Sequence, residues 1–353
     1  MVIHLCLSET FRDQYDQVAQ HLVTQLIDLG FDTRIDHKPR PEETTDNICI
    51  ELVPNQNTRP LTIRSVSLDN PQTLLERVLQ AIPLNFEALP LLFEGESKIV
   101  RLWTDRVVVM RLKPTVYSYT MNRYGEVAGT EQIRAKFTAA LFRKMAALEP
   151  KGNIILKNAF LAELPSPGGP LLAQRRVKTC NIETRIKRYH IGSPLHRYRY
   201  TERYPTTQSC GPLQRWSRLD QPVVCFDWRH PLHDDDGNRL ADEPISDDYA
   251  GVWMHNVAHA KELARATFLW LEALFERAEI RLVDMCIFID RDGKMIYGEI
   301  SPDCMRVKLG LQEPGLAESA DKDVWRAGRS PDELYARYEE LYNRLFGSPS
   351  CGK

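Results

Sequence analysis

No charge of either sign dominates this 353-residue chain: 46 lysines and arginines stand against 48 aspartates and glutamates, a formal charge of −2. That balance removes any global electrostatic reason to seek a nucleic-acid backbone. No apolar run approaches the ~20 residues needed to span a bilayer, so no membrane partner is expected. The start, MVIHLCLSETFRDQYDQ, turns polar at Ser8 and lacks both a basic opening and a small-residue cleavage site. It does not read as a secretory leader, and the expected location is cytoplasmic. The eight cysteines, at 6, 49, 180, 210, 225, 286, 304 and 351, form no CxxC pair, which disfavours a zinc ribbon or a thioredoxin-type site. They read as free thiols, Cys6 and Cys225 as small hydrophobes within strands. Residues 1–85 carry no phosphate-cradling glycine pattern, and the chain has no internal repeat or low-complexity tract.

What is present is an ordinary soluble composition, 43% hydrophobic and 27% charged, in a length suited to two domains or one with an appendage. Residues 1–85 read as a small α/β domain. It comprises a strand at 1–8, a helix with Val18, Leu22, Leu26 and Leu29 on one stripe and Gly30 at its exit, strands in FDTRIDHK, NICIELVP and PLTIRSVSL around the loop PRPEETTDN, and a helix opened by Pro71. Residues 86–200 read as an antiparallel lobe. LPLLFEGESKIVRLWTDRVVVMRLKP gives three strands joined by turns at EGES and TD, able to roof a nucleotide. A helix over 129–148 then turns Ile133, Phe137, Ala140, Leu141 and Met145 inward. Residues 201–353 read as an α/β lobe: a loop-rich stretch to 250, one long helix over 252–280, a hairpin turning at Asp292-Gly293, and a last helix capped by Ser330 with Pro331 behind it. The expected fold class is α+β.

The strongest local signal is EISPDCMR, residues 299–306, directly after an apolar strand. Two carboxylates and an arginine are costly at a strand exit unless something pairs with them. Acids at such a hairpin hold Mg²⁺ on phosphates in ATP-using enzymes; a solvated strand end with a salt bridge is the competing reading. RRVKTCNIETRIKRYHIGSPLHRYRYTERY interleaves basic and aromatic residues, which suits stacked bases. A pocket for one small phosphorylated ligand fits its Gly-Ser turn better in a chain that is not basic overall, so no nucleic-acid partner is expected. HDDD at 233–236 reads as a solvated turn, and His255 with His259, lacking a third ligand, as helix surface.

At this point the residues resemble a family. ISPDCMR resembles the SPDxxR motif of SAICAR synthetase, a purine-pathway ligase. LVDMCIFID resembles its LVDFKLEFG strand, and LLFEGESKIV its (Y/F)xGKxK nucleotide turn. NIETRIKRYHIGS resembles PxExVxRNxxxGS, with Glu183, Gly192 and Ser193 in register. ADKDVWRAG resembles the late DKxxFR motif through Asp321, Lys322 and Arg326. The similarity runs from Leu89 to Gly328 and leaves residues 1–85 outside it. It implies a two-lobed ATP-binding fold with a cleft, and joining of a carboxylate to the amine of aspartate through an acyl phosphate. By position, Gly95, Lys98 and Asp284 would bind ATP. Ser193 and Arg306 would hold the substrate's ribose 5-phosphate, with Glu183, Lys187, Arg188, Lys322 and Arg326 also lining the substrate. Asp303 would sit beside the reacting heterocycle.

The departures are specific. Glu96 replaces the first lysine of the nucleotide turn. Lys187 replaces an arginine, losing the bidentate fork, with Arg188 beside it to compensate. Cys286 replaces a lysine, while Phe288 and Gly298 stand where the two metal acids belong. Glu299 and Asp303 are then the remaining acids for catalysis and for Mg²⁺; Asp290 is nearby but suits a turn. The expected function is an ATP-dependent amide-forming ligase, a divergent paralogue in specialised metabolism, acting on an anionic, phosphorylated carboxylate and an amino compound such as an amino acid. A small-molecule kinase of the related inositol polyphosphate kinase-like fold and a non-catalytic binding homologue are the rivals. A homodimer is left open.

Overall fold

Alternate side chains of β1 (Val2–Leu7) enter a core: Ile3, Leu5 and Leu7 are buried, as the period-two geometry of a strand requires. α1 (Arg12–Asp28) covers them with Ala19, Leu22 and Leu26, spaced along one helical face. Val18 of the expected stripe packs at its margin. The chain reverses at Gly30 with φ +81°, a conformation a side chain would strain. β2 (Asp32–Asp36), β3 (Asn47–Val53) and β4 (Ser65–Ser67) complete a parallel sheet ordered β2-β1-β3-β4. α2 (Pro71–Ala81) buries Leu74, Val78 and Leu79. The structure, a computed structural model, describes residues 2–7, 12–36, 47–53, 65–67, 71–118, 123–148, 155–231, 234–237 and 240–347. The loop expected at 39–46 and His233 of the HDDD stretch lie outside them.

The three strands expected around the turns at Gly95 and Asp105 are β5 (Leu91–Glu94), β6 (Lys98–Leu102) and β7 (Val107–Leu112). The chain then runs through β8 (Thr115–Ser118), β9 (Arg123–Glu126) and α3 (Thr130–Ala146). It returns as β10 (Phe160–Leu164) and β11 (Leu171–Arg175), giving an antiparallel sheet ordered β10-β11-β7-β6-β5. Val107, Val109, Leu161, Leu171 and Ala173 belong to the same core as Ile3, Leu22 and Val78. Thr104 Oγ1 also donates to the Leu29 carbonyl at 2.5 Å. By compactness the chain therefore forms one unit of residues 1–113 and 160–176 and another of residues 114–159 and 177–353. These boundaries differ from the segments 1–85, 86–200 and 201–353, because the small N-terminal sheet and the antiparallel sheet bury their apolar faces together.

The second unit is built on an antiparallel sheet ordered β14-β13-β12-β15-β16, with β17 also paired to β15. In chain order these are β12 (Ile182–Tyr189), α4 (Ser193–Arg197), β13 (Arg218–Trp228), β14 (Glu243–Ile245), α5 (Asp247–Trp253), α6 (Val257–Glu276), β15 (Ile280–Ile289), β16 (Ile296–Tyr297), β17 (Met305–Leu309), α7 (Asp323–Arg326) and α8 (Pro331–Phe346). The long helix expected over 252–280 is two. α5 stops at Trp253, and Asn256 caps α6 by accepting from the His259 N–H at 3.0 Å. A capping side chain satisfies a donor that a continuous helix would satisfy itself, so it favours the break. α8 begins as expected, with Ser330 and Glu333 forming a reciprocal capping box. No helix among the described residues is long and apolar enough to cross a membrane.

Candidate functional site

Register assigns the polar face of the second sheet. Across the ladders Glu183 opposes Asp227, Arg185 opposes both Cys225 and Cys286, and Lys187 opposes Asp284, which in turn opposes Arg306. Directly opposed residues share a face, so Glu183, Arg185, Lys187, Asp227, Asp284, Cys286 and Arg306 stand together. Residues of the other parity, Ile186, Val224, Phe226, Met285 and Ile287, are buried on the side where α6 crosses β12, β13 and β15.

Charges on this face are interlocked. Asp284 Oδ2 accepts from Lys187 Nζ at 2.7 Å and from Arg306 Nη1 at 2.6 Å. Burial alone would raise the Asp284 carboxyl, but Arg306 and Lys187 hold it below the usual carboxylate range. Glu183 behaves alike: burial opposes its charge, and Arg229 with Arg185 prevails. Arg306 Nε donates to Asp323 at 2.8 Å, and Arg326 reaches the other oxygen of Asp323 at 2.6 Å. Asp227, fully buried, binds Arg185 at 2.6 Å and Arg197 at 3.0 Å. Ser193 opens α4 after Gly192, whose φ is +76°, and its Oγ accepts from Arg185 Nη1 at 2.7 Å. Of the expected substrate residues, Glu183, Lys187, Ser193, Arg306 and Arg326 are thus gathered with Asp284.

Arg188 is not brought there, which corrects the expectation that it compensates for Lys187. Neighbouring residues of a strand face opposite ways. Arg188 goes to α6, donating to Glu272 at 2.6 Å and to the Asp220 carbonyl at 3.0 Å. His190, ahead of α4, and Tyr198, Tyr200, Thr201 and Arg215, after it, line an open cavity of ≈ 490 Å³.

The SPD motif makes a second cluster. Glu299 is clamped by Arg134 of α3, Nε at 2.7 Å and Nη2 at 2.9 Å, and also accepts from the Ser301 hydroxyl. Asp303 accepts from Lys322 Nζ at 2.8 Å and from Tyr338 OH at 2.9 Å. Burial opposes the Asp303 charge, yet Lys322 and Arg134 pull its carboxyl down to about 2. Asp321 goes the other way: burial and the neighbouring Asp323 push it up to about 7, although the backbone N–H groups of Val307 and Asp323 both donate to it at 2.6 Å.

This donor set does not fit magnesium. Both oxygens of Glu299 and both of Asp303 already accept from cations or a phenol, whereas Mg²⁺ demands octahedral oxygen ligands. Among the described residues no group of three or more His, Cys, Asp or Glu side chains is placed to hold a metal. At the two departed positions, Phe288 packs at a tilt against Tyr297 with ring centroids 5.7 Å apart beneath the Arg229 guanidinium, and Gly298 has φ +83°. Asp290 is a turn former, its Oδ1 accepting from the Lys294 and Met295 N–H groups. His255 and His259 bind the same turn, through Asp292 and the Gly293 carbonyl.

In the first unit, the expected nucleotide turn joins β5 to β6. The Gly95 N–H donates to the Lys98 carbonyl at 3.0 Å, and a Cβ on Gly95 would lie 2.8 Å from the Phe93 ring. The family profile for SAICAR synthetase matches residues 91–344. The chain belongs to the SAICAR synthetase family. ATP-dependent carboxylate–amine ligation is that family's activity. The chain is 23% identical over 268 residues to the phosphoribosylaminoimidazole-succinocarboxamide synthase of Nitratiruptor, covering 72% of this chain and 96% of that one. It is 25% identical over 341 residues to the bifunctional cordycepin biosynthesis cluster protein 3 of Cordyceps militaris, covering 84% of this chain but 37% of that protein. It therefore spans little more than a third of that relative. A SAICAR synthetase (Type-2) solved in complex with ADP shares its fold with TM-score 0.57 and 22% identity, over 72% of this chain and 97% of that one.

Sequence reasoning missed Arg134, Arg185, Asp227, Arg229 and Tyr338. A signal existed for two of them. Glu183, Arg185 and Lys187 alternate along one strand, which marks a shared polar face. Arg134 sits on the apolar row of Thr138, Leu141 and Met145, all buried, and a charge on such a row needs a buried partner.

Proposed function

We propose that this chain uses ATP to activate a carboxylate and transfers the acyl group to an amino compound, as a divergent paralogue in specialised metabolism. The carboxylate oxygen attacks the γ-phosphorus and ADP leaves. The amine nitrogen then attacks the acyl carbon, inorganic phosphate departs with the bonding pair, and the amine loses a proton. Catalysis of this kind is positioning and charge neutralisation. The observation that carries the substrate side is the gathering of Gly192, Ser193, Lys187 and Arg306 on one sheet face, which suits an anionic substrate bearing a phosphate ester. Gly95 and Lys98 supply the nucleotide turn, and the name of the ADP-bound relative supports nucleotide use. Asp303 and Lys322 stand as a fixed ion pair at the SPD motif, holding charge beside the substrate. On this reading Glu299 and Asp303, both engaged by cations, do not anchor magnesium. The name of the Cordyceps relative, a cordycepin cluster protein, favours specialised over housekeeping metabolism.

Incubation with γ-labelled ATP, a panel of phosphorylated heterocyclic carboxylates and amino acids tests this. Labelled free phosphate is expected only when carboxylate and amine are both present. Label retained on an organic product would instead establish the kinase, and no nucleotide binding at millimolar ATP would establish the binding homologue.

A further inference from the structure

The fold divides the basic and aromatic string of residues 175–204. Its first part enters β12, where Arg185 and Lys187 are engaged by Asp227 and Asp284. Its end does something else: residues 198–202, together with 213–215, line the open cavity of ≈ 490 Å³. A volume of this size suits a small ligand. Thr201 ties the two lining segments. Its hydroxyl donates to the Leu213 carbonyl at 3.1 Å and lies 3.4 Å from His190 Nε2. With the hydroxyl hydrogen given to Leu213, the imidazole is the donor at that second contact. Burial and the nearby Lys187 hold His190 below its usual value, so the ring is neutral near pH 7 and adds no charge to the lining.

Two cations of this cavity stand apart from the others of the unit. Arg188, Arg197, Arg229 and Arg306 each meet a carboxylate. Arg199 and Arg215 meet none among the described residues. The one acid of the lining, Glu202, lies 3.9 Å from Arg203 Nε, so a cation outside the lining offsets it. Tyr198 and Tyr200 keep 55% and 54% of their surface in solvent, and such rings add little to a core. Arg203 stands over the Tyr200 ring at 4.3 Å. Tyr200 has φ +65° and Trp216, next to Arg215, has φ +71°. Side chains in the left-handed region cost free energy that their surroundings must offset, and they gather at ligand clamps.

We propose that this cavity is a ligand site separate from the ligase chemistry, and that it takes a planar heteroaromatic molecule carrying an anionic group. The ring stacks on the tyrosine side chains, as bases do on aromatic residues. The guanidinium groups of Arg199 and Arg215 hold the anion through charge-assisted hydrogen bonds. A polynucleotide fits less well. Tracking a phosphate backbone needs a continuous basic groove, whereas Glu202 interrupts this lining and the chain carries a formal charge of −2. None of these residues takes part in the function proposed above, so the two readings stand or fall separately.

The test is calorimetry of the full chain with AMP and nicotinate as probes. Binding of AMP alone would mark a phosphate ligand, and of nicotinate alone a carboxylate. AMP, if it is the ligand, is expected to bind more tightly than adenosine, which lacks the anion, and than ribose 5-phosphate, which lacks the ring. Arg199→Gln together with Arg215→Gln is expected to weaken the bound probe about 10–100-fold, the scale of a charged hydrogen bond. Tyr198→Ser is expected to weaken it roughly tenfold, the scale of one lost stacking contact. All three side chains are exposed, so these variants are expected to melt as the native protein does. Lys98→Ala and Ser193→Ala are expected to leave the affinity as it is, which separates the cavity from the nucleotide turn and from the substrate face. The proposal is overturned if the native protein binds neither probe, or if the affinity follows Lys98 or Ser193 and ignores the cavity residues. A single-stranded oligonucleotide bound more tightly as it lengthens would overturn it in favour of nucleic acid.

Discussion

Arg134 shows what a single residue commits this molecule to. Its side chain lies mid-helix with 0% exposure, and Glu299 meets it with both oxygens. Removing one partner of such a buried pair costs about 3–5 kcal/mol, so Glu299→Gln is expected to lose stability on that scale in urea unfolding. The thermal midpoint of the native protein is expected to be the same in EDTA as in magnesium; a metal held by Glu299 would separate them. Asp303 and Asp321 carry opposite pH signatures. The Asp303 carboxyl, near 2 in the fold against about 3.9 unfolded, contributes stability that is present above pH ~4 and lost as pH falls toward 2. Asp321, near 7, contributes stability that is complete below pH ~4 and lost as pH rises through 7. Unfolding free energies measured from pH 4 to 8 are expected to decline less steeply in Asp321→Asn.

Among the elements, the α5–α6 junction and the β5–β6 turn each hinge on one residue. Asn256 satisfies the His259 N–H and separates the two helices, and losing a cap of this kind costs about 1 kcal/mol. Asn256→Ala should therefore lower the thermal midpoint by a few degrees without altering nucleotide binding. The β5–β6 turn is tight because Gly95 has no Cβ to strike Phe93, and Lys98 starts the strand that leaves it. If that turn lies against phosphates, Lys98→Ala is expected to weaken ATP binding by roughly 1.5–3 kcal/mol. Equal affinities in calorimetry would remove the turn from the nucleotide site.

For the whole molecule, the family match begins at residue 91, which invites expression of a shortened chain. The core argues against it. Val107, Val109, Leu161, Leu171 and Ala173 bury against Ile3, Leu5, Leu22, Leu26 and Val78, so a chain starting at residue 86 exposes that face of its antiparallel sheet. An apolar patch of this kind drives aggregation. Residues 86–353 are expected to be insoluble or to bind a hydrophobic dye strongly, whereas the full chain does neither.

Read alone, the sequence determined the α+β class, the three strands around Gly95 and Asp105, the capped start of α8 and the family, because each rests on local periodicity, a cap or a short motif. It also singled out Glu183, Lys187, Ser193 and Arg306 as expected substrate residues. Only the tertiary structure decided their partners. Glu299 meets Arg134 across 165 residues of sequence, Lys187 meets Asp284 across 97, and Arg188 turns to Glu272 across 84. Which carboxylate faces which cation follows from ladder register and from the helix lying behind the sheet. A local pattern carries neither, since the same alternation is compatible with every pairing that keeps the apolar side inward.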